Sequence, residues 1–235
     1  MGVLVVRPPT SSHAFLFIVI ALLVSSPQVS GMTEAESLLK FKSSLSNQEA
    51  IPNWDPSIPP CSSGNTSKWL GVMCINGNVW GLQLENMGLS GDLDIDALSR
   101  LPELKILSLM RNEFGGTLPE LRHLPSVRGV YLSNNHFSGD IPDDAFSGMD
   151  SLRRLFLANN AFSGKIPSSL TKVPKLVELR LEGNQFEGKI PDFQQHELPH
   201  VDVANNLLEG PIPESLRNLN PASFLGKLGF SCFGT

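Results

Sequence analysis

Leu104-Lys105-Ile106-Leu107-Ser108-Leu109-Met110-Arg111-Asn112-Glu113-Phe114-Gly115-Gly116-Thr117-Leu118-Pro119 reads as L-x-x-L-x-L-x-x-N-x-L-x-G-x-I-P, with Phe or Leu accepted at the apolar places. The frame returns along the chain. Its asparagine place is filled by Met87, Asn112, Asn135, Asn160, Asn184 and Asn206, at spacings of 25, 23, 25, 24 and 22 residues. Gly91, Gly116, Gly139, Gly164, Gly188 and Gly210 keep the same spacings. Self-similarity at this period over six units is the mark of a solenoid, in which each unit contacts only its neighbours.

Each place in the frame has a physical task, and together the tasks define a leucine-rich-repeat solenoid of about six coils. In L-x-x-L-x-L the alternating leucines point inward from a short strand and the intervening side chains face out, so stacked coils form a short parallel concave sheet. Where the chain leaves that sheet its buried backbone groups need partners, and an asparagine amide supplies a donor and an acceptor at once. Glycine permits the next bend to pass close to its neighbour. The prolines of Leu118-Pro119, Ile141-Pro142, Ile166-Pro167, Ile190-Pro191 and Ile212-Pro213 fix φ and donate no hydrogen bond, which keeps the convex side non-helical there. The first repeat departs, with Met87 for asparagine and Asp94 for proline, as a terminal coil against a cap should.

A solenoid exposes core at its ends and needs lids. Residues 32–78 form the expected amino-terminal lid, residues 79–213 the coils and residues 214–235 a carboxyl-terminal cap. Thr33-Glu34-Ala35-Glu36 has capping-box spacing, and Leu38, Leu39, Phe41 and Leu45 follow at helical intervals, predicting a disulfide-bonded, partly helical cap whose helix reaches about Leu45. Asn76-Gly77 marks a two-residue hairpin turn into the first repeat.

Residues 1–31 read as a signal peptide: Arg7, an apolar run from Ala14 to Val24, then small residues ending Val29-Ser30-Gly31. A membrane anchor would need an apolar run of roughly 20 residues. Export puts the cysteines in an oxidising compartment, where Cys61 and Cys74 can pair and Cys232 is left over. The sequon Asn65-Thr66-Ser67 between them is a glycosylation candidate. The formal charge of −5 becomes more negative once Arg7 is removed, which excludes a global field for nucleic acid.

Within the cap, Trp69-Leu70-Gly71-Val72-Met73-Cys74 resembles the W-x-G-V-x-C of plant leucine-rich-repeat receptor kinases, and L-x-G-x-I-P is the plant-type repeat. Val79-Trp80-Gly81-Leu82-Gln83-Leu84-Glu85-Asn86-Met87-Gly88-Leu89-Ser90-Gly91 resembles the matching stretch of pollen receptor-like kinases, and the six-repeat count fits that family's ectodomain. The resemblance implies a cell-surface receptor that senses small secreted, often cysteine-rich, peptides, with a co-receptor ectodomain as a further partner. It also implies a following transmembrane helix and kinase domain. After Asn220-Pro221-Ala222-Ser223-Phe224 the family's Gly-Leu-Cys-Gly is replaced by Gly229-Phe230-Ser231-Cys232-Phe233-Gly234, and a truncated or alternatively terminated product is expected.

Catalytic motifs are scarce. His196-Glu197-Leu198-Pro199-His200 spells the zinc-protease H-E-x-x-H, but Pro199 and the sixth strand prevent the helix that would bring both histidines to one metal. No G-x-S-x-G, phosphate loop or dinucleotide fingerprint occurs, and Asp143-Asp144 reads as solvated surface charge. No cofactor, metal or catalytic residue is expected. The outward places of repeats two to five carry Lys105, Arg111, Arg128, Arg153, Arg154 and Arg180 with Tyr131 and Phe156. Exposed aromatics beside arginines are typical of interface hot spots, so this concave face is the expected ligand site. A solvated strand face is the competing reading. A secreted inhibitor of a cell-wall hydrolase such as polygalacturonase is the alternative function, although such inhibitors usually have about ten repeats.

Overall fold

The structure, a computed structural model, describes residues 32–195 and 198–226. The leader, His196-Glu197 of the H-E-x-x-H motif, and the tail with Cys232 lie outside the described residues.

Thr33 starts helix α1 (Glu34–Ser43). Its hydroxyl accepts the Glu36 N–H at 3.2 Å while the Glu36 carboxylate accepts the Thr33 N–H at 2.7 Å. Acidic residues in the first turn and Lys40 and Lys42 in the last oppose the helix dipole. The helix ends two residues short of Leu45. The Ser43 and Ser44 hydroxyls donate back to the carbonyls of Lys40 and Phe41, and Leu45 turns into an antiparallel bridge with Gly91. Gly91 has φ +102°, and a Cβ there would come within 2.7 Å of the Ser44 carbonyl oxygen, so only glycine lets the cap lie this close to the first coil.

Across the cap, Trp54 and Trp69 stack at 5.3 Å between ring centroids, and Cys61 is disulfide-bonded to Cys74 with their Cα atoms 5.8 Å apart. Strands β1 (Val72–Ile75) and β2 (Asn78–Gln83) form the expected hairpin. Asn76 and Gly77 both take positive φ in its turn. Both Glu34 carboxylate oxygens accept the Val79 N–H at 3.1 Å, which ties helix to hairpin, and burial raises the Glu34 pKa.

From β2 the sheet runs parallel through β3 (Ile106–Ser108), β5 (Gly129–Tyr131), β7 (Arg154–Phe156), β9 (Glu178–Arg180) and β11 (His200–Asp202), one strand per coil. In register, Leu82, Leu107, Val130, Leu155, Leu179 and Val201 form one inward row, all buried. Behind it Phe114, Phe137, Phe162 and Phe186 stack successively at 6.4, 6.0 and 6.3 Å. Two minor sheets follow the frame asparagines: β4 (Gly115–Gly116), β6 (His136–Asp140) and β8 (Ala161–Ser163) pair in order in one, β10 (Glu187–Lys189) and β12 (Leu207–Glu209) in the other.

The frame asparagines bond to backbone rather than to each other. Asn135 donates to the carbonyls of Leu132 and, one coil back, Leu109, both at 3.0 Å, and accepts the Phe114 N–H at 3.1 Å. Asn112, Asn160, Asn184 and Asn206 repeat this reach into the preceding coil. Met87, in the asparagine place of the first coil, packs against the core instead, and its N–H donates to Asn112 at 3.0 Å.

On the convex side the second, fourth and sixth coils turn through 3-10 segments, but the first coil forms a short helix, α2 (Ile95–Ser99), because Asp94 in place of proline caps it by accepting the Ala97 N–H at 2.8 Å. Asp143 and Asp144 are exposed, as expected of surface charge, and each also finds a partner in a neighbouring coil. Asp143 accepts both the Oγ–H and the N–H of Ser168, which lower its pKa, and Asp144 pairs with Arg122 at 2.7 Å, so both carboxylates link neighbouring coils. After the last coil the Ser223 and Leu225 carbonyls accept the N–H groups of Val203 and Asn205, and Phe224 is buried.

Candidate ligand-binding face

Parallel register turns places in the repeat into rows across the concave face. The last place of each strand carries Gln83, Ser108, Tyr131, Phe156, Arg180 and Asp202 in order. Side chains 22 to 25 residues apart in sequence are therefore next-door neighbours, about 4.8 Å apart along the stack.

Tyr131 and Phe156 use this proximity. Their rings meet edge to face, 4.8 Å between centroids with planes at 81°, and the Arg180 guanidinium lies 5.0 Å from the Phe156 centroid. The expectation of two exposed aromatics is corrected in degree: both rings are half-covered, because they pack on each other and Tyr131 lies back over Gly129. A Cβ at 129 would come within 2.7 Å of the tyrosine ring, so glycine there lets the ring lie back over the strand. The result is a continuous apolar strip capped by a cation.

The arginines divide into two sets. Glu178, at the first outward place of its strand, reaches Arg154 at 3.3 Å and Arg180 at 3.0 Å, so one carboxylate holds both and helps keep Arg180 over Phe156. Arg128 and Arg153, on adjacent coils just before their strands, and Arg111, just after its own, form no ion pair among the described residues. Lys105 departs from expectation: its side chain is only 16% exposed and its ammonium lies 3.7 Å from Glu103.

Acidic residues on the same face were not anticipated. Glu182 sits between Ala158 and Ala204 in the row following the second inward leucines, and its Oε2 is buried without accepting a hydrogen bond. Burial raises its pKa, its own backbone N–H lowers it, Asp202 and Glu178 raise it and Arg180 lowers it. With Glu178 and Asp202 it makes the fifth and sixth coils acidic next to a basic middle. The repeat frame already puts these residues at outward places, so it was the signal that could have found them. A cleft of about 240 Å³ opens beside Asp202, lined also by Arg180, Pro199, His200, Leu219 and Asn220.

Among the described residues no cluster of three or more His, Cys, Asp or Glu is arranged for a metal, and no helix is long and apolar enough to cross a membrane. His200 begins β11 rather than a helix. Asn65 is exposed on its loop, with its side-chain oxygen accepting the Asn76 N–H at 3.0 Å.

Comparison with known proteins agrees with this architecture. The leucine-rich-repeat N-terminal domain matches residues 33–75, and leucine-rich-repeat models match residues 125–186 and 197–219. Pollen receptor-like kinase 4 of Arabidopsis thaliana is 52% identical over 219 residues, covering 90% of this chain and 32% of its own. Pollen receptor-like kinase 2 of the same plant is 48% identical over 204 residues, 86% of this chain and 30% of its own. The chain thus spans about a third of the length of these relatives. The crystal structure of a pollen receptor kinase 3 superposes with a TM-score of 0.72 at 38% identity, covering 80% of this chain and 91% of that one. The Arabidopsis receptor kinase HAESA, solved in complex with the peptide hormone IDA and the co-receptor SERK1, gives a TM-score of 0.72 at 31% identity, covering 79% of this chain and 32% of that one. With a capped plant-type solenoid in common and near-complete coverage of a solved relative, the chain belongs to the pollen receptor-like kinase family of leucine-rich-repeat proteins.

Proposed function

We propose that this chain is the extracellular, peptide-sensing leucine-rich-repeat part of a receptor kinase, and that it binds without catalysing. The observation that carries this reading is the Tyr131–Phe156–Arg180 strip, flanked by the unpaired Arg128 and Arg153 on the concave face. Aromatic and arginine anchors grouped at the centre of a rigid surface are the usual composition of an interface hot spot. The solved complex of HAESA with a peptide hormone and a co-receptor supports a secreted peptide or protein as ligand, with a co-receptor ectodomain as second partner. In this reading residues 1–31 are removed on export, residues 32–78 cap the coils of 79–213, residues 214–235 close the far end, and Asn65 carries a glycan. Membrane attachment and kinase activity belong to the rest of such a receptor.

Lys105, Arg111, Arg128, Tyr131, Arg153, Arg154, Phe156 and Arg180 are the proposed contact residues, Lys105 by its stem and Arg154 and Arg180 as a pair shared with Glu178. Purified chain should bind secreted pollen-tube guidance peptides and leave polygalacturonase activity unchanged. Inhibition of the hydrolase without peptide binding would replace this function with the inhibitor one.

A further inference from the structure

One border of the concave face is a row of left-handed residues, one per coil: Asn86 (φ 56°), Arg111 (57°), Asn134 (59°), Asn159 (53°), Gly183 (70°) and Asn205 (55°). The chain leaves the strand here and must bend so that the next residue, the frame asparagine, points inward. An L residue in this conformation brings its Cβ against its own carbonyl, a clash that glycine lacks and asparagine tolerates. Five coils comply. Arg111 does not, and among the described residues it is the only one with positive φ that is neither asparagine nor glycine.

The fold supplies no reason for arginine there. The backbone bond at this place, Arg111 N–H to the Ser133 carbonyl at 3.0 Å, has its counterpart in the next coil, Asn134 N–H to Ala158 at 2.9 Å, so it is independent of the side chain. The Arg111 side chain is exposed and forms no ion pair or hydrogen bond among the described residues. Backbone strain maintained for a side chain without a partner in the protein points to selection by something outside it.

We infer that Arg111 reads the ligand: it holds a carboxylate of the bound peptide at this border, opposite Arg128 and Arg153, with the Tyr131–Phe156 strip between them. The proposal rests on the concave face being the peptide site. The two borders are six places apart in the repeat, about 20 Å at strand rise. An extended peptide of about six residues with acidic ends and an apolar centre spans them, and its charge is complementary to the three unpaired arginines.

The test uses immobilised, acetylated and amidated hexapeptides with an aromatic centre and Asp, Asn or Lys at both ends, probed with the wild-type chain and three variants. Wild type should prefer Asp ends. Arg111→Asn should weaken Asp-ended binding about tenfold, Arg111→Lys should keep most of the preference, and Arg111→Asn should melt about 2–4 °C higher as strain is relieved. Tyr131→Ala probes the face itself and should reduce binding whatever the ends. Loss with Tyr131→Ala but an unchanged Asp preference in Arg111→Asn would overturn the role of Arg111 alone. No effect of Tyr131→Ala, or no wild-type binding to any peptide, would overturn the face and Arg111 with it. A melting temperature that does not rise in Arg111→Asn would remove the strain argument.

Discussion

The Tyr131 ring stands edge-on to Phe156, 4.8 Å between centroids, and rests over Gly129, one coil before its partner. Its posture thus depends on a missing Cβ two residues earlier. Gly129→Ala should drive the ring off its neighbour while leaving the inward rows intact. Tyr131 is the only tyrosine in the chain, so an aromatic NMR spectrum of labelled tyrosine reports on it alone. Ring-current shifts should collapse toward exposed values with the fold retained; unchanged shifts would refute the packing.

Asn135 binds backbone in two coils at once, and its side chain is buried. Asn135→Ala leaves those groups unpaired and should cost about 1–3 kcal/mol of stability. Denaturant unfolding measures this. A variant of wild-type stability that no longer binds ligand would reassign the residue from structure to recognition.

Much of this was legible because the repeat assigns a single local task to each place. The capping box at Thr33, the hairpin at Asn76-Gly77 and the inward leucines follow from residues close in sequence, and the frame asparagines from their place in the repeat. What was not legible depends on which side chains meet across coils. That Glu178 claims both Arg154 and Arg180, that Glu103 covers Lys105, and that Asp143 and Asp144 link coils are facts about residues brought together by register and rotamer. The basic residues stood out against an acidic chain, so Glu178, Glu182 and Asp202 in the same rows were passed over. The helix stop at Ser43 goes with the Leu45–Gly91 bridge, a contact between the cap and the first coil.

The Cys61–Cys74 disulfide closes the loop that carries Trp69, whose ring stacks on Trp54. Replacing both cysteines by serine should cost about 3 kcal/mol. Non-reducing peptide mapping of the native protein should join Cys61 to Cys74. Recovery of Cys232 joined to either would contradict the cap as described.

Glu182 is held above its ordinary pKa chiefly by burial. Between the ordinary and the raised value the folded chain keeps a proton that the unfolded chain releases, so this residue makes stability fall as pH rises through that window. Glu182→Gln removes the dependence and should raise the melting temperature at neutral pH relative to wild type, with a smaller difference in acid. Parallel melting curves of the two proteins against pH would contradict this.

The central claim is that ligand binds the middle of the concave face, and calorimetric titration of a secreted peptide ligand into wild-type chain and the folded Arg153→Ala/Phe156→Ala double variant tests it most directly. Arg153 is unpaired and Phe156 anchors the aromatic strip, so the double variant should lose about 2–4 kcal/mol of binding, roughly thirtyfold or more in affinity. Wild-type affinity in that folded variant would contradict the account.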